Sequence, residues 1–193
     1  MQALGIDVRI WAVLFLALTL LFHLLNRKPR ALVDAAVSPL KVPERRPWGY
    51  TGLELQEFRE TALQATAERG RSALDLYRKT VLLIDIGFAI SLAFASFFLW
   101  WSAVPTMGPN GLVNWIATMG WILSLFYGGF DIGEDASLYF LLGYDSTGSE
   151  AANFAAGCTI GKMIAITGSL FGLAIFLTLA LMDWIIAGFG ARR

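Results

Sequence analysis

Residues 81–104 read VLLIDIGFAISLAFASFFLWWSAV, a run with one charged side chain, Asp85. A helix rises about 1.5 Å per residue, so about 20 such residues cross the hydrocarbon core of a bilayer. The run therefore predicts a membrane span, and the flanking sequence supplies three more. Residues 10–25 reach spanning length once Ile6 and Val8 are counted, and residues 112–130 and 154–182 are long enough despite charges in or beside them. The expected fold class is all-α: a polytopic membrane protein with four transmembrane helices. Spans two to four form a three-helix core, the first helix is peripheral, and one amphipathic helix lies outside the membrane. The expected units are an anchor over 1–26, an extended connector over 27–50, the amphipathic helix over 51–80 and the bundle over 81–193.

Composition agrees with this. Of 193 residues, 56% are hydrophobic, the mean hydropathy is +0.60, and 15 basic side chains balance 15 acidic ones. A disordered chain, a nucleic-acid binder with a basic surface and a disulfide-stapled domain are excluded, the last by the single Cys158. Cys158 reads as a small buried apolar residue.

Basic residues set the expected direction. Eleven Lys and Arg side chains lie between the first and second spans, from Arg27 to Lys79, and none in the turn over 105–111, so residues 27–80 should be cytoplasmic and the N-terminus outside. Arg27, Lys28 and Arg30 follow the first span and stop transfer, which marks a signal anchor rather than a cleaved signal. Trp11, Trp100, Trp101, Trp115 and Trp184 fall at the outer ends, where indoles favour the headgroup region. The location this implies is a bacterial inner membrane.

Pro29, Pro39, Pro43 and Pro47 predict an extended connector. The Thr51-Gly52-Leu53-Glu54 spacing predicts a capping box that opens a helix. Leu55, Phe58, Ala62, Ala65, Ala73 and Leu76 recur at helical spacing along it, with a bend at Gly70. Such a helix covers the inner ends of the chain's own spans.

Charges in or beside the spans each need a partner, because a lone charge at the bilayer centre costs about 3 kcal/mol or more. Asp85, Asp131 and Lys162 each lie 19 or 20 residues from the outer end of their span, about 30 Å of rise, and so share one level. Small-residue stripes lead into them: Ala89, Ala93 and Ser96 on the second span, Gly120, Ser124 and Gly128 on the third, Ala165, Ser169 and Gly172 on the fourth. Gly157, Gly161 and Gly168 add a second close-packing edge to the fourth span. The layer of Asp85, Asp131, Glu134, Asp135 and Lys162 should face the bundle interior. In one reading Lys162 pairs with Asp85 and Asp131 while Glu134 and Asp135 meet cytoplasmic water. In another, Asp131, Glu134 and Asp135, at i, i+3 and i+4, hold a divalent cation through hard oxygens, and in a further one desolvation leaves one or two of the acids protonated. No other cofactor is expected. His23 reads as a neutral interfacial residue.

An Asp early in one span, Asp131-x-x-Glu134 at the end of the next and Lys162 in the third resemble a set of small bacterial membrane proteins, over about residues 81–181. That resemblance implies the three-helix unit and no activity. No paired histidines, dithiol, phosphate-cradling loop, second acidic motif or internal repeat is present. The first expectation for function is a non-enzymatic subunit or scaffold of a membrane assembly, its partners being the lipid bilayer and other subunits or a second copy. A carrier or sensor of protons, cations or lipid headgroups is the alternative, and a metal-dependent membrane enzyme acting on lipid the third.

Overall fold

The computed structural model describes residues 7–68, 70–103, 111–144 and 149–190, excepting the side chains of 103, 111–113, 149, 180 and 183–190. It is helical, with α1 (Val8–Val37), α2 (Gly52–Gln64), α3 (Ala73–Leu76), α4 (Leu82–Ala103), α5 (Gly111–Leu141) and α6 (Ser149–Gly190). Four segments are long and apolar enough to cross a membrane: Val8–Val37, Ala73–Ser102, Asn114–Leu141 and Glu150–Leu179. A π-helical turn, Tyr77–Val81, joins α3 to α4.

The long helices pack in chain order, α1 on α4, α4 on α5, α5 on α6. α1 therefore sits at one end of the row, yet it has a packing stripe that its sequence hides. Ala12, Thr19, Asn26 and Val33, spaced by seven, are its buried residues together with Val37. A seven-residue period keeps one narrow face toward a neighbouring helix, and here that face combines small, polar and branched residues rather than a run of Gly or Ala.

Three boundaries differ from expectation. The connector expected to be extended over 27–50 is helical to Val37, with Pro29 inside α1, because Val33 and Val37 are fully buried and hold the helix past its proline. The helix expected over 51–80 stops at Gln64. It starts at the Thr51–Glu54 capping box and buries Leu55, Phe58 and Ala62, as the spacing requires. The bend at Gly70 is a hairpin turn with φ +77°, between short antiparallel strands β1 (Thr66–Glu68) and β2 (Arg71–Ser72), a brief interruption in an all-helical fold. Glu54 is held below its ordinary value of 4.5, first by the Thr51 amide, so the cap contributes above that pH and is lost as acid protonates the carboxylate.

α2 closes one end of the row, the capped end. Val33, Val37, Leu55, Phe58, Ala62, Tyr77, Leu82, Leu138, Leu142 and Ala152 belong to a buried apolar cluster there, drawn from α1, α2, α4, α5, α6 and their connections. α5 and α6 remain helical beyond the charged layer, to Leu141 and from Ser149, forming a projecting hairpin around which this cluster is built. Arg78 Nε and an Arg59 guanidinium nitrogen donate to the carbonyls of Tyr139 and Leu142, which α5 leaves unpaired at its end.

Close glycine contacts bring α4, α5 and α6 together. A methyl group at Gly120 would overlap the Trp100 ring, one at Gly128 would meet Ala93 at 2.7 Å, and Gly161, Gly168 and Gly172 face Phe130, Leu123 and Trp100. Gly157 faces nothing within 4 Å and is not a packing residue in this chain. Trp100, expected as an interfacial anchor, is instead 1% exposed, because α5 and α6 enclose it. Trp101 and Trp115 are exposed, Trp11 stacks on Phe98, and Trp184 lies outside the described side chains. Gly120→Ala is expected to destabilise the chain by about 1–3 kcal/mol through overpacking against Trp100, while Gly157→Ala is neutral, as thermal unfolding in detergent would measure.

Candidate functional site

The charged residues converge near the capped end in two adjoining networks. In the first, Lys162 on α6 reaches across to α5, where its Nζ donates to Asp131 Oδ1 at 2.6 Å and lies 2.5 Å from Glu134 Oε2. Thr159 Oγ1, one turn before Lys162, donates to Glu134 Oε1 at 2.6 Å, and Tyr127 Oη donates to Asp131 Oδ2 at 2.8 Å. Every member is buried. Asp131 and Glu134 lie on one face of α5 because i and i+3 are neighbours on a helix, and Lys162 has the reach to serve both.

The second network joins α1 to α4. Asp85 accepts from Asn26 Nδ2 at 3.2 Å and from Arg30 at 3.0 Å. Arg30 also pairs with Glu44, which accepts from the Tyr77 hydroxyl. The π-helical turn carries Tyr77 to that carboxylate at the point where the chain enters α4. The expected pairing of Lys162 with Asp85 does not occur: α1 supplies Asp85 with its cation, and Lys162 is occupied by two acids of α5.

Asp135 lies between the networks. It is 0% exposed, and neither carboxylate oxygen has a hydrogen-bond partner. One carboxylate oxygen each from Asp135, Asp85 and Glu44 lie within 4.8 Å of one another. Two expectations are thereby corrected. Glu134 and Asp135 do not look into water, because α2 and the connector roof them over and both are 0% exposed. Asp131, Glu134 and Asp135 do not form one ligand set, because Lys162 takes the first two and the step of about 100° from Glu134 to Asp135 turns the latter toward Asp85 of α4.

Tyr50, just before α2, adds a further polar group to the roof. Its hydroxyl is buried beside Thr159 and Glu134, and burial, reinforced by the Glu134 charge, holds the phenol well above its usual 10.0, so it stays protonated. On the opposite side the polar face of α5 continues inward. Ser96, Ser124 and Ser169, one from each of α4, α5 and α6, lie 2.7 to 3.4 Å apart, and Trp100 Nε1 donates to Ser169 Oγ at 3.0 Å. From Asp135 to Ser124 this seam descends about 16 Å of helix rise.

Asn26, Arg30, Glu44, Tyr50, Tyr77, Tyr127 and Thr159 belong to the site without having been singled out in sequence. Asn26 and Arg30 carry a signal, four residues apart on the continuation of the first span. Glu44 carries none, since an acid in a proline-rich connector looks solvated. Arg78 and Lys79, in the π-helical turn, serve Tyr139 and Asp75. Cys158 is buried, as expected, with its sulfur facing Gly133.

Compared with protein-family models, with curated proteins and with solved structures, the chain matches none. The site is therefore interpreted from its own chemistry. Among the described residues the two networks hold five acids, Glu44, Asp85, Asp131, Glu134 and Asp135, against two cations, Arg30 and Lys162. An excess of buried carboxylate binds cations or protons; it does not stabilise an anionic substrate. Lys162→Met is expected to cost about 3–5 kcal/mol, because it leaves Asp131 and Glu134 without their counter-ion, and adding Asp131→Asn with Glu134→Gln should restore most of it in the same unfolding assay.

Proposed function

We propose that the chain is a membrane-embedded cation-binding protein, a carrier or sensor rather than an enzyme, whose ligands are the carboxylates of Glu44, Asp85 and Asp135. One observation carries this reading: Asp135 is wholly buried with two unpartnered oxygens that face two other acids. A buried carboxylate left unpaired is costly, and its neighbours here repel it, so the arrangement is completed by a proton or a cation, and three converging carboxylates favour the cation. Three carboxylates offer hard oxygens alone, which suit Mg²⁺, Mn²⁺ or Ca²⁺ and disfavour zinc.

The excess of Lys and Arg between the first and second spans supports a cytoplasmic capped end and an outer N-terminus, in a bacterial inner membrane. The ion would then enter from the cytoplasm. The serine seam offers polar oxygens for part of the way across, and Trp100 with Phe176 and Ala117 closes it with apolar bulk, which favours sensing or gated transfer over an open pore.

The scaffold reading is favoured by a different feature, an apolar groove of about 540 Å³ between α5 and α6 at Gly129 and Gly133, which would admit a helix of another subunit. It explains Lys162, Asp131 and Glu134 as fasteners and leaves Asp135 without a role. Titrating Mg²⁺, Mn²⁺ and Ca²⁺ into the purified full chain separates the two. Under the cation reading one ion stabilises it by roughly 2.7 kcal/mol at about 100 times its dissociation constant, and Asp135→Asn abolishes that gain while being at least as stable as the wild type in ion-free buffer. Stabilisation by none of the three ions, or a gain that survives Asp135→Asn, overturns the assignment.

A further inference from the structure

Along the outer side of the α1–α4 contact run two cavities of opposite character. One, of about 360 Å³, lies at the level of Asp85 and is lined by Arg27, Arg30 and Arg45 with Asp34 and Asp85. The other, of about 480 Å³, is almost entirely apolar and is walled by Val13, Leu16, Ala17 and Leu20 of α1. They adjoin, because His23 and Phe88 line both. Their rings lie 6.3 Å apart and mark the boundary between the polar and the apolar part.

An amphiphile with a charged head and a hydrocarbon tail has this shape. From His23 back to Val13 the trough follows about 15 Å of helix rise, into the span and away from the charged end. Its walls at Val13, Leu16 and Leu20 are exposed on the outer surface of the bundle, where acyl chains have direct access.

The sign of the head follows from the charges. Asp34 is paired with Arg45 at 2.9 Å, and Asp85 is held by Arg30 at 3.0 Å while lying against Glu44 and Asp135 on its inner side, so neither acid presents an uncommitted carboxylate to an ammonium group in this cavity. Arg27, exposed on the rim of the polar cavity, has no ion pair among the described residues. Arg30 is shared by Asp85 and Glu44 and Arg45 is held by Asp34, so of the three lining guanidiniums Arg27 is the one that an anionic head can take without displacing an acid. Guanidinium also matches phosphate oxygens in a planar fork, which a zwitterionic choline head offsets with its own cation.

We propose that the α1–α4 groove is a binding site for one anionic glycerophospholipid, its phosphodiester at Arg27 and one acyl chain in the trough from His23 to Val13. The site does not depend on a cation being bound by the three carboxylates, with which it shares only Asp85.

The test uses the full chain in nanodiscs of phosphatidylcholine, with and without phosphatidylglycerol, and native mass spectrometry to count retained lipid. Phosphatidylglycerol should be retained over phosphatidylcholine, and Arg27→Gln should weaken that preference about five-fold, the factor corresponding to about 1 kcal/mol for one interfacial arginine. Arg9→Gln, which removes an exposed charge at the far end of α1, should leave it intact. Ala17→Phe, which fills the trough, should lower retention while thermal unfolding stays cooperative. Equal retention of the two lipids, or a preference that survives Arg27→Gln, overturns the proposal. So does displacement of the bound lipid by sn-glycerol 3-phosphate as effectively as by dihexanoyl phosphatidylglycerol, since the tail would then contribute nothing.

Discussion

The Lys162 ammonium between Asp131 and Glu134 is the interaction on which the rest of the bundle depends. In a low-dielectric interior a charge without a partner is too costly to keep, so the helices that carry these groups must meet, at one depth and in one register. The meeting of α5 and α6 fixes the polar face of α5, and that face in turn places Ser124 against Ser96 and Ser169, and Asp135 against Asp85. Small residues along the same faces allow the approach, and aromatic rings fill the space beside them, as Trp100 does against Gly120 and Gly172.

The charged end is enclosed by something that resembles the core of a water-soluble protein more than a transmembrane contact. α2, with its capping box and a buried stripe of Leu55, Phe58 and Ala62, lies over the projecting ends of α5 and α6. The connector delivers Glu44 beneath it, and Tyr50 buries its hydroxyl in the same roof. This roof withdraws Glu134 and Asp135 from bulk water, which turns a set of interfacial charges into a buried cluster. The excess of acid over base then has a consequence, because bulk solvent is not there to screen it.

Arg30 links the buried cluster to the outer surface of the bundle. It lies on α1, the helix at one end of the row, yet its guanidinium bridges Glu44 and Asp85 inside, while the polar cavity around it opens beside Arg27. Groups that an ion would need and groups that a lipid phosphate would need are thus one side chain apart.

The four long apolar helices and the inward faces of α4, α5 and α6 were determined by the sequence itself, because they rest on local quantities: run length and a 3.6-residue period, as the start of α2 rests on the capping chemistry at Thr51. The shared level of Asp131 and Lys162 follows from counting residues along a rigid helix, and the stripe of Ser96, Ser124 and Ser169 from spacing alone. The tertiary structure decided which charge meets which. Asp85 is served by Asn26 and Arg30, 59 and 55 residues away. Glu44 reaches it through a connector whose path no periodicity describes. Continuation of α1 beyond Pro29 and burial of Trp100 belong to the same class, since each is imposed by surfaces contributed from elsewhere in the chain. Electrostatic partners are chosen by proximity in space, and a sequence pattern sets only where along its own helix each group stands.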